Sequence, residues 1–186
     1  MNAIPIEGRP LRLVSERLLL RDLRPEDWPA VHDLRGDPAV AGPMGLAPEG
    51  EEESREWLER AIRHNRLLPR QAFNLAIILR ETGVAVGWIG MSRAGEGRDA
   101  DGVYELSFAL LRDYWGKGIM TEAARVLLSF AFERLEAKRV VADCLPQNVA
   151  SARVLEKVGM GYEGPAGACL RYGLDDEGWR HDDAAL

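Results

Sequence analysis

The sequence predicts a mixed α/β domain with a central sheet flanked by helices, and three observations point there. Two β-rich runs, Ala72 to Leu79 and Val84 to Met91, flank Arg80-Glu81-Thr82-Gly83, which has the length and composition of a hairpin turn. From Val103 to Val158 the order is strand, helix, strand, helix, which requires at least one pair of parallel strands joined by a right-handed crossover. A chain of 186 residues with 46% hydrophobic side chains is long enough for one well-buried core and short for two, so residues 1–186 read as a single domain.

Taken in order, a short leader precedes Leu11-Arg12-Leu13 and Arg17-Leu18-Leu19-Leu20-Arg21, an extended segment broken near Ser15-Glu16. Pro25 suits the first turn of a helix that runs to about Leu34 and stops at Gly36-Asp37-Pro38. Gly42 to Gly50 is a loop, and Glu51 to Leu68 is a helix with Trp57, Leu58, Ala61 and Ile62 inward, ended by Pro69. After the hairpin and a loop from Gly95 to Gly102 comes a strand, Val103 to Leu111. Gly116 to Leu135 is a helix in which Ala123, Leu127, Ala131 and Leu135 recur every four residues. Arg139 to Leu145 is a strand and Val149 to Val158 a helix closed by Gly159; the tail holds one short strand, Cys169 to Leu174.

The net charge of −6 argues against nucleic acid or an acidic membrane as partner, because both need clustered Lys or Arg. It suits a cationic partner such as an amine, and it is equally ordinary solubility. No apolar run reaches membrane-spanning length and the N-terminus lacks a signal-peptide pattern, so a soluble, cytoplasmic protein is expected. Cys144 and Cys169 lack metal or redox spacing; no metal is expected, and both cysteines read as structural. His32, His64 and His181 sit beside charged neighbours and read as surface residues.

The segment from Leu110 to Ala123 carries the clearest chemistry: an apolar strand runs into a glycine-bearing turn and then an amphipathic helix. The first amides of a helix lack partners and its dipole places partial positive charge there, so a phosphate docks without Lys or Arg. Lys117 lies between Gly116 and Gly118 rather than after the last glycine, which excludes a Walker A loop. Thr121 stands where a Rossmann fingerprint needs its third glycine. A simple glycine hinge remains the alternative.

Four segments together resemble the GNAT superfamily of acetyltransferases, in particular its branch of ribosomal-protein N-terminal acetyltransferases. Ser15-Glu16-Arg17-Leu18-Leu19-Leu20-Arg21 with Arg24-Pro25-Glu26-Asp27 is similar to the branch's first strand and helix start, and Gly87-Trp88-Ile89-Gly90 to its third strand. Tyr114-Trp115-Gly116-Lys117-Gly118 with Thr121-Glu122-Ala123 resembles its coenzyme A loop. Asn148-Val149-Ala150-Ser151 through Val158-Gly159-Met160 resembles its last helix. The resemblance implies a mostly antiparallel sheet with one splayed parallel strand pair.

It further implies that acetyl-coenzyme A is the co-substrate. Its pantetheine arm would bond the backbone of Phe108, Ala109 and Leu110, and its pyrophosphate the amides of Trp115, Gly116, Lys117, Gly118, Ile119 and Met120. Met120 replaces the small residue usual in the last slot and would crowd the pyrophosphate. Asn148 matches the residue that contacts pantetheine or orients the acceptor, and it equally reads as a helix N-cap.

Acetyl transfer from a thioester needs a neutral amine; losing the proton at neutral pH costs roughly 1 kcal/mol for an α-amine and roughly 4 or more for a lysine. Glu105, on the face of its strand shared with Ser107, is the candidate base, with a solvated strand residue as the alternative. Many superfamily members supply a Tyr acid from the last helix, but Leu155 fills that slot; Ser151 is the candidate donor to the leaving sulfur, or a first-turn helix residue.

Three functions follow: acetylation of a protein N-terminal α-amine, acetylation of a small amine (polyamine, amino acid or antibiotic), or non-catalytic acyl-coenzyme A binding. The resemblance also implies a closing strand after a segment like Gly178-Trp179-Arg180. Asp182-Asp183-Ala184-Ala185-Leu186 is short and polar for that, so the strand is expected to be truncated or supplied by a partner subunit in a homodimer.

Overall fold

A computed structural model describes residues 10–94 and 101–183; the leader, most of the loop expected at Gly95 to Gly102, and the last three residues lie outside the described residues. The chain runs β1 (Arg12–Val14), β2 (Leu18–Asp22), α1 (Trp28–Gly36), α2 (Pro38–Ala41), α3 (Glu51–Asn65), β3 (Ala72–Leu79), β4 (Ala85–Arg93) and β5 (Val103–Leu110). It continues with α4 (Ile119–Arg134), β6 (Arg139–Cys144), α5 (Val149–Lys157), β7 (Gly161–Ala166), β8 (Cys169–Asp175) and α6 (Asp176–Asp183). The strands form one sheet in the order β1-β2-β3-β4-β5-β6-β8-β7. Every pairing is antiparallel except β5 with β6. The expected mixed sheet and its parallel pair are present.

Alternation of side chains sends Leu18, Leu20, Phe73, Leu75, Ile89, Met91 and Leu106 to one face, where they bury against Ala123, Leu127, Leu128 and Ala131 of α4 and Leu155 of α5. The other face carries Ala76 and Ile78, which pack with Val31 of α1 and Leu58 and Ala61 of α3. Two helical layers therefore sandwich the sheet, and each takes the apolar stripe of its helices.

β5 and β6 pair only at Val103–Arg139, Tyr104–Val140 and Glu105–Val141. Beyond that, β5 continues along β4 to Leu110, and β6 continues along β8 to Cys144, so the two strands part. The hydrogen-bond phase of β5 decides what the gap receives. Leu111 N–H donates to Val86 O and Ala94 N–H to Val103 O, both at 3.0 Å. With a period of two, Glu105, Ser107 and Ala109 turn their backbone groups to β4, whereas Leu106, Phe108 and Leu110 turn theirs toward β6.

Several boundaries differ from the sequence reading. Pro25 opens a 3-10 turn, Pro25–Asp27, before α1 proper. The helix read from Glu51 to Leu68 ends at Asn65, whose side chain bonds the backbone of Asn74 and so ties the helix end to β3. The helix read from Gly116 begins instead at Ile119, because Gly116 and Gly118 take left-handed φ of +71° and +73° outside it. β7 was unread: Gly161, Gly164 and Pro165 look like a turn, yet an edge strand needs hydrogen bonds on one side only, and a register shift at Tyr162/Gly164 absorbs the irregularity. His32, expected at the surface, is half-buried and stacked on Trp28.

Where the resemblance implies a closing strand after Gly178-Trp179-Arg180, the described residues hold none, as expected of a truncated one. That segment is α6: Asp175 Oδ1 accepts from Gly178 N–H at 2.8 Å, and Trp179 stacks on Phe132 of α4 at 5.6 Å. The sheet closes earlier, with the hairpin of β7 and β8 supplied by this chain.

Candidate active site

Where β5 and β6 part, a cleft of about 120 Å³ opens. Leu106, Ser107 and Phe108 form one wall, Ala142, Asp143 and Cys144 the other, and Asn148, Ser151 and Leu155 of α5 close the end. Pro43, Met44 and Cys169 complete the margin. Phe108 and Leu110 turn backbone groups to this side, as a strand edge awaiting a partner does.

The loop after β5 is fixed to the same place. Trp115 Nε1–H donates to Leu110 O at 2.6 Å, which folds the exposed indole back over the strand end. The first α4 bond runs from Glu122 N–H to Gly118 O, so the amides of Ile119, Met120 and Thr121 precede it without a helical acceptor, and Gly118 brings no side-chain cap. Lys117 Nζ lies 5.4 Å from the Tyr114 ring. Met120, expected to crowd an anion here, has its side chain buried at 6% exposure in the core beneath α4 and leaves the helix mouth open.

This N-terminus is held from the opposite sheet edge. Glu122 Oε1 accepts from Ser15 Oγ (2.7 Å) and Arg17 N–H (3.0 Å), Oε2 from Arg17 Nε (2.6 Å), and Arg17 Nη1 donates to Lys117 O (3.1 Å). Burial opposes ionisation of Glu122, but these hydrogen bonds and the guanidinium charge outweigh it and hold the carboxyl below its ordinary value. The sequence shows Ser15, Arg17 and Glu122 as parts of two segments; their contact, more than a hundred residues apart in the chain, needed the fold.

Asn148 is 9% exposed and serves as the N-cap of α5, its Oδ1 accepting from Ser151 N–H at 3.2 Å. The cap uses the oxygen, and the NH2 remains as a donor at the cleft wall. Ser151, half-buried, lies one turn into α5 on the same wall. Glu105 is exposed at the vertex of the gap, on the face of Ser107 and away from Leu106, and it is absent from the cleft lining. Ala109 turns its backbone to β4 and its side chain into a second cavity. Of the expected site residues, Phe108, Asn148 and Ser151 line the cleft, Leu110 and the loop amides follow at the end of β5 outside its lining, and Glu105 and Ala109 are absent from it.

Sequence reasoning passed over Asp143. Its carboxylate lines the cleft and is gripped by Arg171 of β8 at 2.8 and 2.6 Å. The hydrogen bond and charge of Asp143, with smaller contributions from Glu105 and Glu163, raise the Arg171 pKa further and keep it cationic. Asp143 is one carboxylate inside a β-rich run, so its type was visible and its position at the gap was not. Both cysteines, read as structural, border the cleft. Burial, with the neighbouring Cys169, Asp143 and Glu156, pushes the Cys144 thiol up.

The second cavity lies on the α1–α3 face and is lined by Arg35, Glu49, Trp57, Trp88 and Ala109 among others; Met44 borders both cavities. Trp57 meets Trp88 edge-on at 5.1 Å, and Arg35 lies over Trp57 while pairing with Glu49. Trp88 Nε1 is buried without a hydrogen-bond partner among the described residues. Among the same residues no cluster of His, Cys, Asp and Glu could hold a metal ion, and no helix is long and apolar enough to cross a membrane.

Residues 17–161 match the family model described as an acetyltransferase (GNAT) domain. An uncharacterised N-acetyltransferase of Bacillus subtilis, YnaD, is 29% identical over 172 residues, covering 91% of this chain and 92% of the relative. The crystal structure of a GNAT-family acetyltransferase from Bacillus anthracis superposes with a TM-score of 0.76 at 28% identity, over 90% of this chain and 99% of that one. A ribosomal-protein-S5-alanine acetyltransferase from Vibrio fischeri shares the fold, with a TM-score of 0.72 at 21% identity over 91% and 98% of the two chains.

Proposed function

Because the chain belongs to the GNAT acetyltransferase family, we propose that it transfers the acetyl group of acetyl-coenzyme A to a primary amine by direct attack in a ternary complex, with a protein N-terminal α-amine as the acceptor. The observation that carries this reading is the gap between β5 and β6, which continues past Phe108 and Leu110 to the amides ahead of α4. A pantetheine arm takes the vacant strand position, bonding the backbone of Phe108 and Leu110 and the NH2 of Asn148. Ala109 contributes side-chain surface only. The pyrophosphate rests on the amides of residues 116–120, where the helix dipole favours negative charge; the Trp115 N–H, expected to share in this, instead donates to Arg112 O at 3.0 Å.

In this arrangement the thioester lies beside Ser151, whose hydroxyl donates to the leaving sulfur. An amide directed into the gap from β5 polarises the carbonyl. Glu105 draws a proton from the incoming ammonium through water, since its side chain lies on the face opposite Leu106. Asp143, already at the cleft, is the rival carboxylate. The α-amine is favoured over a lysine or polyamine because its proton is cheaper to remove at neutral pH.

The test is release of coenzyme A from acetyl-coenzyme A with and without added amine, comparing a peptide bearing a free N-terminus with polyamines, amino acids and aminoglycosides. Amine-dependent release supports catalysis, and its absence with all acceptors leaves an acyl-coenzyme A binding domain. Glu105→Gln is expected to lower turnover with the chosen amine; unchanged turnover, together with loss in Asp143→Asn, transfers the base to Asp143. Acetyl-coenzyme A at a hundredfold excess over its Kd should stabilise the fold by about 3 kcal/mol.

A further inference from the structure

The two cysteines are the reactive groups that the proposed mechanism leaves unused, and both border the cleft assigned to the thioester. They differ in access: Cys144 is buried at 7% exposure, whereas Cys169, opening β8, is half-buried. Cys169 follows the period of Arg171 on β8, whose guanidinium grips Asp143, so it belongs to the sheet face of Glu105 and Ser107. That is the side from which an amine would approach a thioester held along β5. A second feature marks the space as built for a polar ligand: Asn148, nine-tenths buried on the same wall, uses its oxygen for the helix cap, and no hydrogen bond among the described residues engages its NH2.

We propose that Cys169 is a self-acetylation site, at which its thiol takes the acetyl group from acetyl-coenzyme A bound in the cleft when no amine is present. The inference rests on the donor-site reading above. The sulfur of Cys169, having lost its proton, attacks the acetyl carbonyl; a new C–S bond forms to Cys169, and the C–S bond to coenzyme A breaks. The proton given up by Cys169 ends on the departing coenzyme A thiolate. One thioester replaces another, so no oxidant, reductant or further reactant is needed, and the exchange is close to isoenergetic. A thiol is a fitting acceptor because its thiolate is a strong nucleophile.

The test uses the full-length protein with acetyl-coenzyme A and no amine. The expected result is release of about one equivalent of coenzyme A, a mass gain of one acetyl group mapped by peptide sequencing to Cys169, and reversal by neutral hydroxylamine. Cys169→Ser should lose the hydroxylamine-labile adduct while still being stabilised by coenzyme A, and Cys144→Ser should keep the adduct. Stabilisation of the wild type by coenzyme A without any labile adduct overturns the inference and leaves the donor site standing, as does an adduct mapped to another residue. Absence of stabilisation by coenzyme A removes the donor-site reading and this inference with it.

Discussion

Arg17 and Glu122 join the turn between the first two strands to the first turn of α4, through a charged pair at 2.6 Å and a backbone hydrogen bond at 3.0 Å to the same carboxylate. Arg17 also reaches Lys117 O, so a single side chain holds both the loop and the helix that follows it. Glu122→Gln keeps the shape and removes the charge. It is expected to lower stability by about 1 kcal/mol, since these bonds are partly solvent-exposed, and to raise the KM for acetyl-coenzyme A several-fold. Urea denaturation and initial rates measure the two effects.

The same carboxylate sets an acid limb. Its folded pKa lies below the ordinary 4.5. The stabilisation is therefore fully present above that ordinary value and is lost as pH falls through the lower folded value. Thermal melts between pH 3 and pH 7, read against roughly 1 unit of titration width, should show a steeper acid loss in wild type than in Glu122→Gln.

Gly118→Ala places a side chain at φ +73°. The left-handed conformation costs a residue with a Cβ about 1–2 kcal/mol, and relaxing it rotates the amides that open α4. A lower urea midpoint with an unchanged m-value, together with weaker coenzyme A binding by calorimetry, is the expected pair of outcomes.

Trp115→Phe keeps an aromatic ring, smaller than the indole, and deletes the donor to Leu110 O. The indole is 44% exposed, so stability should change by less than about 1 kcal/mol. The KM for acetyl-coenzyme A should rise while kcat with saturating donor holds, because the loop loses its tie to the strand end and the reacting groups are untouched.

Asn148 separates capping from binding. Asn148→Asp preserves the oxygen that receives Ser151 N–H and should leave stability within about 0.5 kcal/mol, whereas Asn148→Ala loses the cap and about 1 kcal/mol. Both remove the NH2, so both are expected to weaken coenzyme A binding. Denaturation and calorimetry on the two variants distinguish the roles.

What could be read ahead of the fold was whatever period and punctuation encode. The hairpin of β3 and β4, the β5-loop-α4 unit and the capped helix at Asn148 each announce themselves within one continuous stretch of chain. β7 did not, because its glycines and proline signal a turn locally and only its edge position excuses them. α6 was hidden for a related reason: its polar sequence has little stripe of its own, and stacking of Trp179 on Phe132 is a tertiary contact. In the candidate site, residues within the β5-loop-α4 segment and the α5 segment were found, Asp143 was passed over, and Cys169 was read only as structural. Their relevance arises from where β6 leaves β5, a property of pairing between distant strands that no local pattern carries.

Among the described residues, strand pairing joins the five strands from β1 to β5 to the three from β6 to β8 at three residue pairs. Mechanically the sheet is two plates sharing a short seam, and a molecule laid along the gap extends that seam from both sides. Occupancy and stiffness thus become one variable: loading the donor should slow amide exchange in both plates at once, and its departure should return them to semi-independent motion.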